Sequence, residues 1–391
     1  MNNRICVVAV GYNRPVALGR LLDSLADAEY GSDQVDILIS IDKGQRQKEI
    51  VDLAEAFVWK YGDKRVRAFS EKQGLRNHIL QCGDISEEYD GVVVLEDDLT
   101  VARNYYNFVR TCIDYYGDDP SIAGISLYKH CYNVDAGAFF EPAYDGADVY
   151  LMQYAQSWGQ CWTKRMWRGF RTWYESNEKI FDALDDRLLC YPINITTWSQ
   201  HSWLKYYIAY IIENDLFYIY PHQSMTTNHS EAGEHNQLPN CDYQVALPQG
   251  IFDYRLRPSD ELIKYDAFFE RINLDCPDFP EKKLVIDLYG RKRSFDNADY
   301  LISTEARPYR VMHEWKLKLR PQELNLLHPE DGKGIYVYDL GQPGDPPHQT
   351  DQANIRTRFD VRSISYRKLI GVGLAELKLS LRNKVGKKLK R

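Results

Sequence analysis

Val92-Val93-Val94-Leu95-Glu96-Asp97-Asp98 is an unbroken apolar run that ends in three adjacent carboxylates. Aliphatic residues in succession, introduced by Gly91, read as a strand buried on both faces. Three carboxylates at its end repel one another and require a cation or a partner to relieve that repulsion. Hard divalent ions such as Mg2+ or Mn2+ take carboxylate oxygens and bridge them to substrate phosphates. An isolated acidic triplet reads equally as a solvated turn. Its position at the end of a buried strand assigns it instead to a metal–nucleotide site.

Working outward, the first 130 residues alternate between strand and helix patterns. Ile5–Val10 reads as a buried strand leading to Gly11-Tyr12-Asn13-Arg14-Pro15, and Leu18, Leu21, Leu22 and Leu25 then share one helical face. A strand over Val35–Ile41 ends at Asp42-Lys43-Gly44, with a helix predicted around Lys48–Tyr61, a short strand at Val66–Phe69 and a helix at Arg76–Cys82. Gly91–Leu95 follows, and Ile122–Leu127 reads as a further strand. Such alternation implies a mainly parallel sheet with right-handed crossovers. Ligands of such sheets bind at the carboxyl ends of strands, where Asn13, Asp42 and the acidic triplet all fall.

Composition narrows the function. The 391 residues predict two or three units at roughly 150 residues each, and 44% hydrophobic with 27% charged content describes a globular chain. No run approaches the ~20 apolar residues that cross a bilayer, and the N-terminus carries no apolar leader, which predicts a cytoplasmic protein. Eight cysteines without a CxxC pair read as reduced, buried thiols rather than disulfides or structural zinc. Net charge is −7, but residues 367–391 hold nine Lys/Arg against one Glu, leaving about −15 on the body. An acidic body argues against a nucleic-acid partner.

The texture changes after Ile122. An irregular Tyr-, Asp- and Gly-rich stretch runs to about Val149, and six of the eight tryptophans fall within 150–220. A helix around Trp198–Glu213 precedes a strand at Leu216–Tyr220 and a loop rich in His, Asn and Gly. Beyond 240 the signals weaken, and Pro-Gly-Asp-Pro-Pro at 343–347 reads as a linker. The expected division is therefore 1–240, with a nucleotide half to 130 and an acceptor half from 131, then an extension over 241–342 and a linker with a basic tail over 343–391.

Val7-Ala9-Val10-Gly11-Tyr12-Asn13-Arg14-Pro15, Ile39-Ser40-Ile41-Asp42 and Val94-Leu95-Glu96-Asp97-Asp98 together resemble the GT-A fold of nucleotide-sugar-dependent glycosyltransferases. The similarity is to bacterial family-two-like enzymes of surface polysaccharide synthesis and extends to N-acetylglucosaminyltransferase I-like enzymes, whose DxD motif is also Glu-Asp-Asp. It spans about residues 4–237 and includes Gly74-Leu75-Arg76-Asn77, Ser157-Trp158-Gly159 with Trp162, and Trp203 through Tyr220-Pro221 to Asn228 and His235. The fold implied is a Rossmann-like α/β sheet flanked by helices. The activity implied is inverting, metal-dependent transfer of a hexose or N-acetylhexosamine from a nucleotide sugar, such as a UDP-sugar, to a glycan or lipid-linked glycan.

The resemblance also implies roles. Asp98 ligates Mn2+ or Mg2+, with Glu96 and Asp97 facing the ribose and supporting the metal site. Asn13 and Arg14 lie beside the nucleotide, Asp42 contacts the base, and Arg76 approaches the diphosphate. His235 is a further metal or diphosphate ligand, with His229 as the alternative, and Trp158 lines the acceptor cleft. An inverting displacement needs one general base for the acceptor hydroxyl. The resembling enzymes carry an acidic pair where this chain has Ser199-Gln200-His201-Ser202. That departure leaves His201 as the candidate base, since its unperturbed pKa of ~6.5 suits the task. A structural histidine is the competing reading, and Asp185 and Asp186 stand in reserve.

Ile370, Leu374, Leu377, Leu381 and Val385 recur as a helical stripe within the basic tail. A basic amphipathic helix lies in membrane interfaces and is drawn to anionic lipids. The expected location is therefore peripheral, on the inner face of the cell membrane; the alternative is a helix docked on the protein's own acidic body. Two other functions compete. A sugar nucleotidyltransferase expects a Gly-rich basic loop after the first strand, which Gly11-Tyr12-Asn13-Arg14-Pro15 is not. A catalytically silent scaffold fits the missing acidic pair but not the intact triplet.

Overall fold

The computed structural model describes residues 4–182, 186–231, 242–272, 274, 283–295, 298–361 and 364–389. The chain divides into two compact units, one of residues 1–275 with 291–296 and the other of 276–290 with 297–391.

In the first unit, β1 (Ile5–Gly11), β2 (Val35–Ile41), β3 (Lys64–Ala68) and β4 (Gly91–Glu96) form a parallel block. Its crossovers are α1 (Pro15–Ala26), α2 (Gln47–Ala56) and α3 (Gly74–Gly83). After the acidic turn come β5 (Leu99–Val101), α4 (Tyr105–Tyr116), β6 (Ile122–Ser126), and a hairpin of β7 (Tyr132–Asn133) with β8 (Ala138–Phe139). β9 (Val149–Met152), β10 (Gln160–Thr163), α5 (Lys164–Asn177), α6 (Ile193–Thr197) and α7 (Leu204–Glu213) follow. β11 (Phe217–Pro221), β12 (Thr226–Asn228) and β13 (Lys264–Tyr265) are its last strands. The central sheet has nine strands in the order β13-β9-β11-β6-β10-β4-β1-β2-β3.

Its neighbouring strands are mostly parallel, with β10 inserted antiparallel between β4 and β6 and β9 antiparallel to β11. This is the mainly parallel α/β sheet expected from the strand–helix alternation. Every residue of β1 and β2 is buried, as continuous apolar strands covered on both faces must be. The α1 face of Leu18, Leu21, Leu22 and Leu25 is buried as its spacing predicts. Cys6, Cys82, Cys112 and Cys161 are buried free thiols, whereas Cys190 is exposed.

Two predicted helices are shorter than their patterns: α2 ends at Ala56 rather than near Tyr61, and the helix expected around Trp198–Glu213 starts late. Residues 198–203 form a turn, and α7 begins only at Leu204. Trp198 N bonds back to Asn194 O at 3.1 Å and ends α6, while Ser202 N turns to Ser199 O at 3.0 Å. The Ser199 hydroxyl also accepts from His201 N at 3.2 Å. Serine hydroxyls offer the backbone this local alternative to a helix.

The second unit carries β14 (Leu284–Asp287), β15 (Tyr300–Ser303), β16 (Tyr309–Lys316) and β17 (Gly334–Pro343), paired in the order β14-β15-β17-β16. Its helices are α8 (Leu324–Leu327), α9 (Gln349–Asp360) and α10 (Tyr366–Leu389). Residues 344–348 separate β17 from α9 without regular structure.

Candidate metal and nucleotide site

The register of two neighbouring strands builds the site. β1 and β4 run parallel with Val10 opposite Glu96, so Tyr12-Asn13-Arg14 and Glu96-Asp97-Asp98 emerge side by side. Arg14 is the residue before α1, whose first position is Pro15. Its guanidinium pairs with Asp97 and, at 3.3 Å, with Asp98. Asp97 also accepts from Tyr12 N at 3.3 Å. Oδ1 of Asp98 is buried without a hydrogen-bond partner among the described residues.

Electrostatics follow from that crowding. Burial, then the charges of Asp98 and Asp97, push Glu96 up to about 8. Burial raises Asp97 to about 6, with the Arg14 guanidinium offsetting part of the effect. Burial works against the Arg14 charge, but Asp97 and Asp98 overcome it and hold the proton more firmly. β12 pairs antiparallel with β5, Asn228 opposite Leu99, and delivers His229 to the same turn. His229 N donates to Asp98 O at 2.9 Å, and its Nε2 lies 2.8 Å from Thr100 Oγ1.

The donor set fits a hard divalent cation in part. Asp97 and Asp98 offer carboxylate oxygens, one of them buried and unpartnered. Among the described residues no three His, Cys, Asp or Glu side chains converge as a metal cage. Mg2+ and Mn2+ bound through one or two carboxylates, water and substrate phosphate need no such cage. His235 lies outside the described residues.

The other nucleotide candidates are engaged by the fold. Asn13 adopts a left-handed φ of 55°, and its Oδ1 accepts from Arg46 N at 3.0 Å. Asp42 is buried and accepts from the backbone N–H groups of Lys43, Gln73 and Gly74 at 2.7, 2.8 and 2.9 Å. Those bonds tie the end of β2 to the start of α3. Arg76 donates to the Tyr206 hydroxyl at 3.0 Å and lies 3.8 Å from Glu178. Of the two candidate arginines, the structure brings Arg14 to the triplet and turns Arg76 toward α7.

Beside the triplet opens a cavity of about 480 Å3, lined by Glu96 and Asp98 on one side and by Trp158, Tyr243, Tyr154, His130, Gln156, Asn194, Trp198 and Trp203 among others. Trp158 packs against Tyr243 with centroids 4.3 Å apart and meets Tyr128 edge-on. The following Gly159 has φ +97°, and a Cβ there would stand 2.8 Å from Thr226, so only glycine makes this turn. Burial pushes His130 down to about 3 and keeps it neutral. Gln156 Nε2 sits 3.0 Å from His130 Nε2, and Gln156 Oε1 accepts from the Ser157 and Trp158 backbones. Network logic therefore places the imidazole proton on Nδ1.

His201 is exposed, and the cavity lining includes Ser199 and Ser202 from its turn but not His201 itself. Asp186 is exposed on a short 3-10 turn, and Asp185 lies outside the described residues. His130, Gln156, Tyr154 and Asn194 escaped the sequence reading. The one available signal was that His130 follows closely on the carboxyl end of β6.

No family model matches the chain, and no curated protein matches it. Solved structures overlap it partially. The mannosyltransferase PcManGT from Pyrobaculum calidifontis, in complex with GDP-Man and Mn2+, is 13% identical over 42% of this chain, with a TM-score of 0.31. S. aureus TarS 1-349 in complex with UDP-GlcNAc is 13% identical over 59%, with a TM-score of 0.38. The same protein in complex with UDP is 12% identical over 57%, with a TM-score of 0.37. The chain spans 46, 60 and 59% of those structures respectively.

The raised Glu96 sets a pH dependence. A carboxyl raised from 4.5 to about 8 favours the folded state at low pH, and that contribution is lost as pH climbs through 8. In metal-free buffer, stability should fall by on the order of 1–3 kcal/mol between pH 6 and 8.5. Glu96→Gln should flatten this loss. Urea midpoints at the two pH values check it, and an unchanged slope in the variant would place the titration elsewhere.

Proposed function

We propose that this chain is a metal-dependent, inverting glycosyltransferase of the GT-A type. It would transfer a hexose or N-acetylhexosamine from a UDP-sugar to a glycan or lipid-linked glycan in bacterial surface polysaccharide synthesis. The observation that carries the reading is an acidic strand end, with a buried unpartnered carboxylate oxygen, opening onto an aromatic-walled cavity. Asp98 and Asp97 hold Mg2+ or Mn2+, and Glu96 faces the nucleotide. When bound, such an ion supplies Lewis-acid stabilisation of the departing nucleoside diphosphate. Trp158 and Tyr243 present ring surface to a sugar, as apolar faces with polar edges do. His201 belongs to the turn whose Ser199 and Ser202 line the cavity, and it remains the proposed base. The exposure of His201 favours one second reading, a catalytically silent scaffold on the same fold.

A thermal-shift screen of UDP-, GDP-, CMP- and dTDP-sugars with Mn2+ or EDTA identifies the donor, because a ligand of the folded state raises its stability. Asp98→Asn should preserve the fold and abolish Mn2+-dependent donor turnover; wild-type turnover in saturating Mn2+ would refute the metal assignment. His201→Ala should lower transfer by roughly 10²-fold with donor binding unchanged. Retained transfer there, with donor turnover intact, moves the base elsewhere. No donor turnover by the wild type supports the scaffold.

The tail is proposed as a contact with anionic membrane. Among the described residues no helix is long and apolar enough to cross a bilayer. Along α10, Ile370, Leu374, Leu377 and Leu381 are 54–59% exposed. Val372 is also exposed and lies well around the helix from that stripe, so apolar and basic side chains are less segregated than the spacing alone implies. Each basic residue near an anionic surface contributes ~1 kcal/mol. Truncation after Tyr366 should abolish co-sedimentation with anionic vesicles and spare transfer to a short soluble acceptor. Equal pelleting of both proteins would leave α10 a purely structural element.

A further inference from the structure

The pairing of Arg14 has a consequence for how the site fills. Its guanidinium spans Asp97 and Asp98 from a side chain only 26% exposed, against carboxylates 4% and 17% exposed. The two aspartates are not held alike. Asp97 keeps a second donor in Tyr12 N, whereas Asp98 has Oδ2 on Arg14 and Oδ1 without a partner among the described residues. Were Arg14 to leave, Asp97 would retain a hydrogen bond, and Asp98, largely covered and with Oδ1 buried, would be left uncompensated. Such a group demands another cation.

We propose that Arg14 is a resident counter-ion of the acidic turn, which must leave Asp98 before a divalent cation binds there, so that cation and nucleotide bind cooperatively. This rests on the metal reading above. A released guanidinium needs an anion of its own, and a planar fork of donors suits the oxygens of a diphosphate. The backbone does not have to move for this. Pro15 fixes the start of α1, while the long side chain of Arg14 can change rotamer about its own torsions. The free protein therefore binds metal weakly, the guanidinium standing in for it. A nucleoside diphosphate that draws Arg14 away strengthens metal binding, and by linkage the metal strengthens nucleotide binding by the same factor.

Mn2+ binding, read from the free-ion electron paramagnetic resonance signal, tests this without any turnover. Arg14→Gln should bind Mn2+ alone about tenfold more tightly than the wild type, within the range of ordinary coupling between sites. Arg14→Lys keeps a cation at the turn but cannot span both carboxylates, so it should fall between them. That variant also guards against misfolding of the glutamine variant. Adding Asp98→Asn to Arg14→Gln should remove the gain, and UDP should tighten Mn2+ binding in the wild type more than in Arg14→Gln. Equal or weaker Mn2+ affinity in both Arg14 variants overturns the counter-ion role while the metal reading stands. Absence of Mn2+ binding in every protein, with and without UDP, overturns the metal reading and the inference with it.

Discussion

Everything at the candidate site depends on two parallel strands that end level and carry opposite charge. β1 and β4 are fixed in register by a ladder from Ile5–Gly91 to Val10–Glu96, so their following residues have little choice of position. One strand then releases Arg14 and the other a triplet of carboxylates. Neither end is comfortable alone. Three acids at a buried strand end would repel, and an arginine three-quarters covered would lack a counter-ion. Their mutual pairing lets an apolar core run up to the edge of a charged site.

The surrounding loops are braced by the same strategy at smaller scale. Asp42 collects three backbone N–H groups and joins β2 to α3. Asn13 holds the turn that leads into α2 through Arg46 N. Residues that a family resemblance places on the nucleotide thus serve first as struts. A binding loop must hold its shape before the ligand arrives, and rigid first positions reduce what ordering costs on binding. The polar side chains at the strand ends shape the floor, and Arg14 is the one here set to exchange partners.

The strands were legible because buried apolar runs are a local signal, and the acidic triplet was legible because it interrupts one. The cavity wall was not. His130, the stretch holding Tyr154 and Gln156, and Asn194 come from three segments that meet only through tertiary packing, as in the bond from Asn194 Nδ2 to the Tyr154 hydroxyl at 3.2 Å. No periodicity announces such a convergence. The insertion of β10 antiparallel between β4 and β6 was equally hidden, since a four-residue strand carries no mark of its direction. The turn at 198–203 replaces the first turn of a helical pattern, with the Ser199 hydroxyl and carbonyl taking the His201 and Ser202 N–H groups.

Aromatic richness invites a carbohydrate reading that the packing mostly withdraws. Trp162, Trp167 and Trp203 are among the largest fully buried side chains, and Trp162 stacks on Tyr207 with centroids 5.7 Å apart. Many tyrosines act as cross-braces. Tyr207 donates to Ala123 O at 2.8 Å, Tyr220 to Tyr154 O at 2.7 Å, and Tyr116 to Arg257 O at 2.6 Å. A tyrosine can therefore fill a core and still anchor a loop through its hydroxyl, which phenylalanine cannot do. Such braces tie α7 to β6, β11 to the segment after β9, and α4 to the loop at Arg257. At the cavity the rings of Trp158, Tyr243, Tyr154, Trp198 and Trp203 border the space beside Asp98. The same residue types thus stiffen the scaffold in the interior and wall the cavity at its edge, and Trp203, 1% exposed, does both.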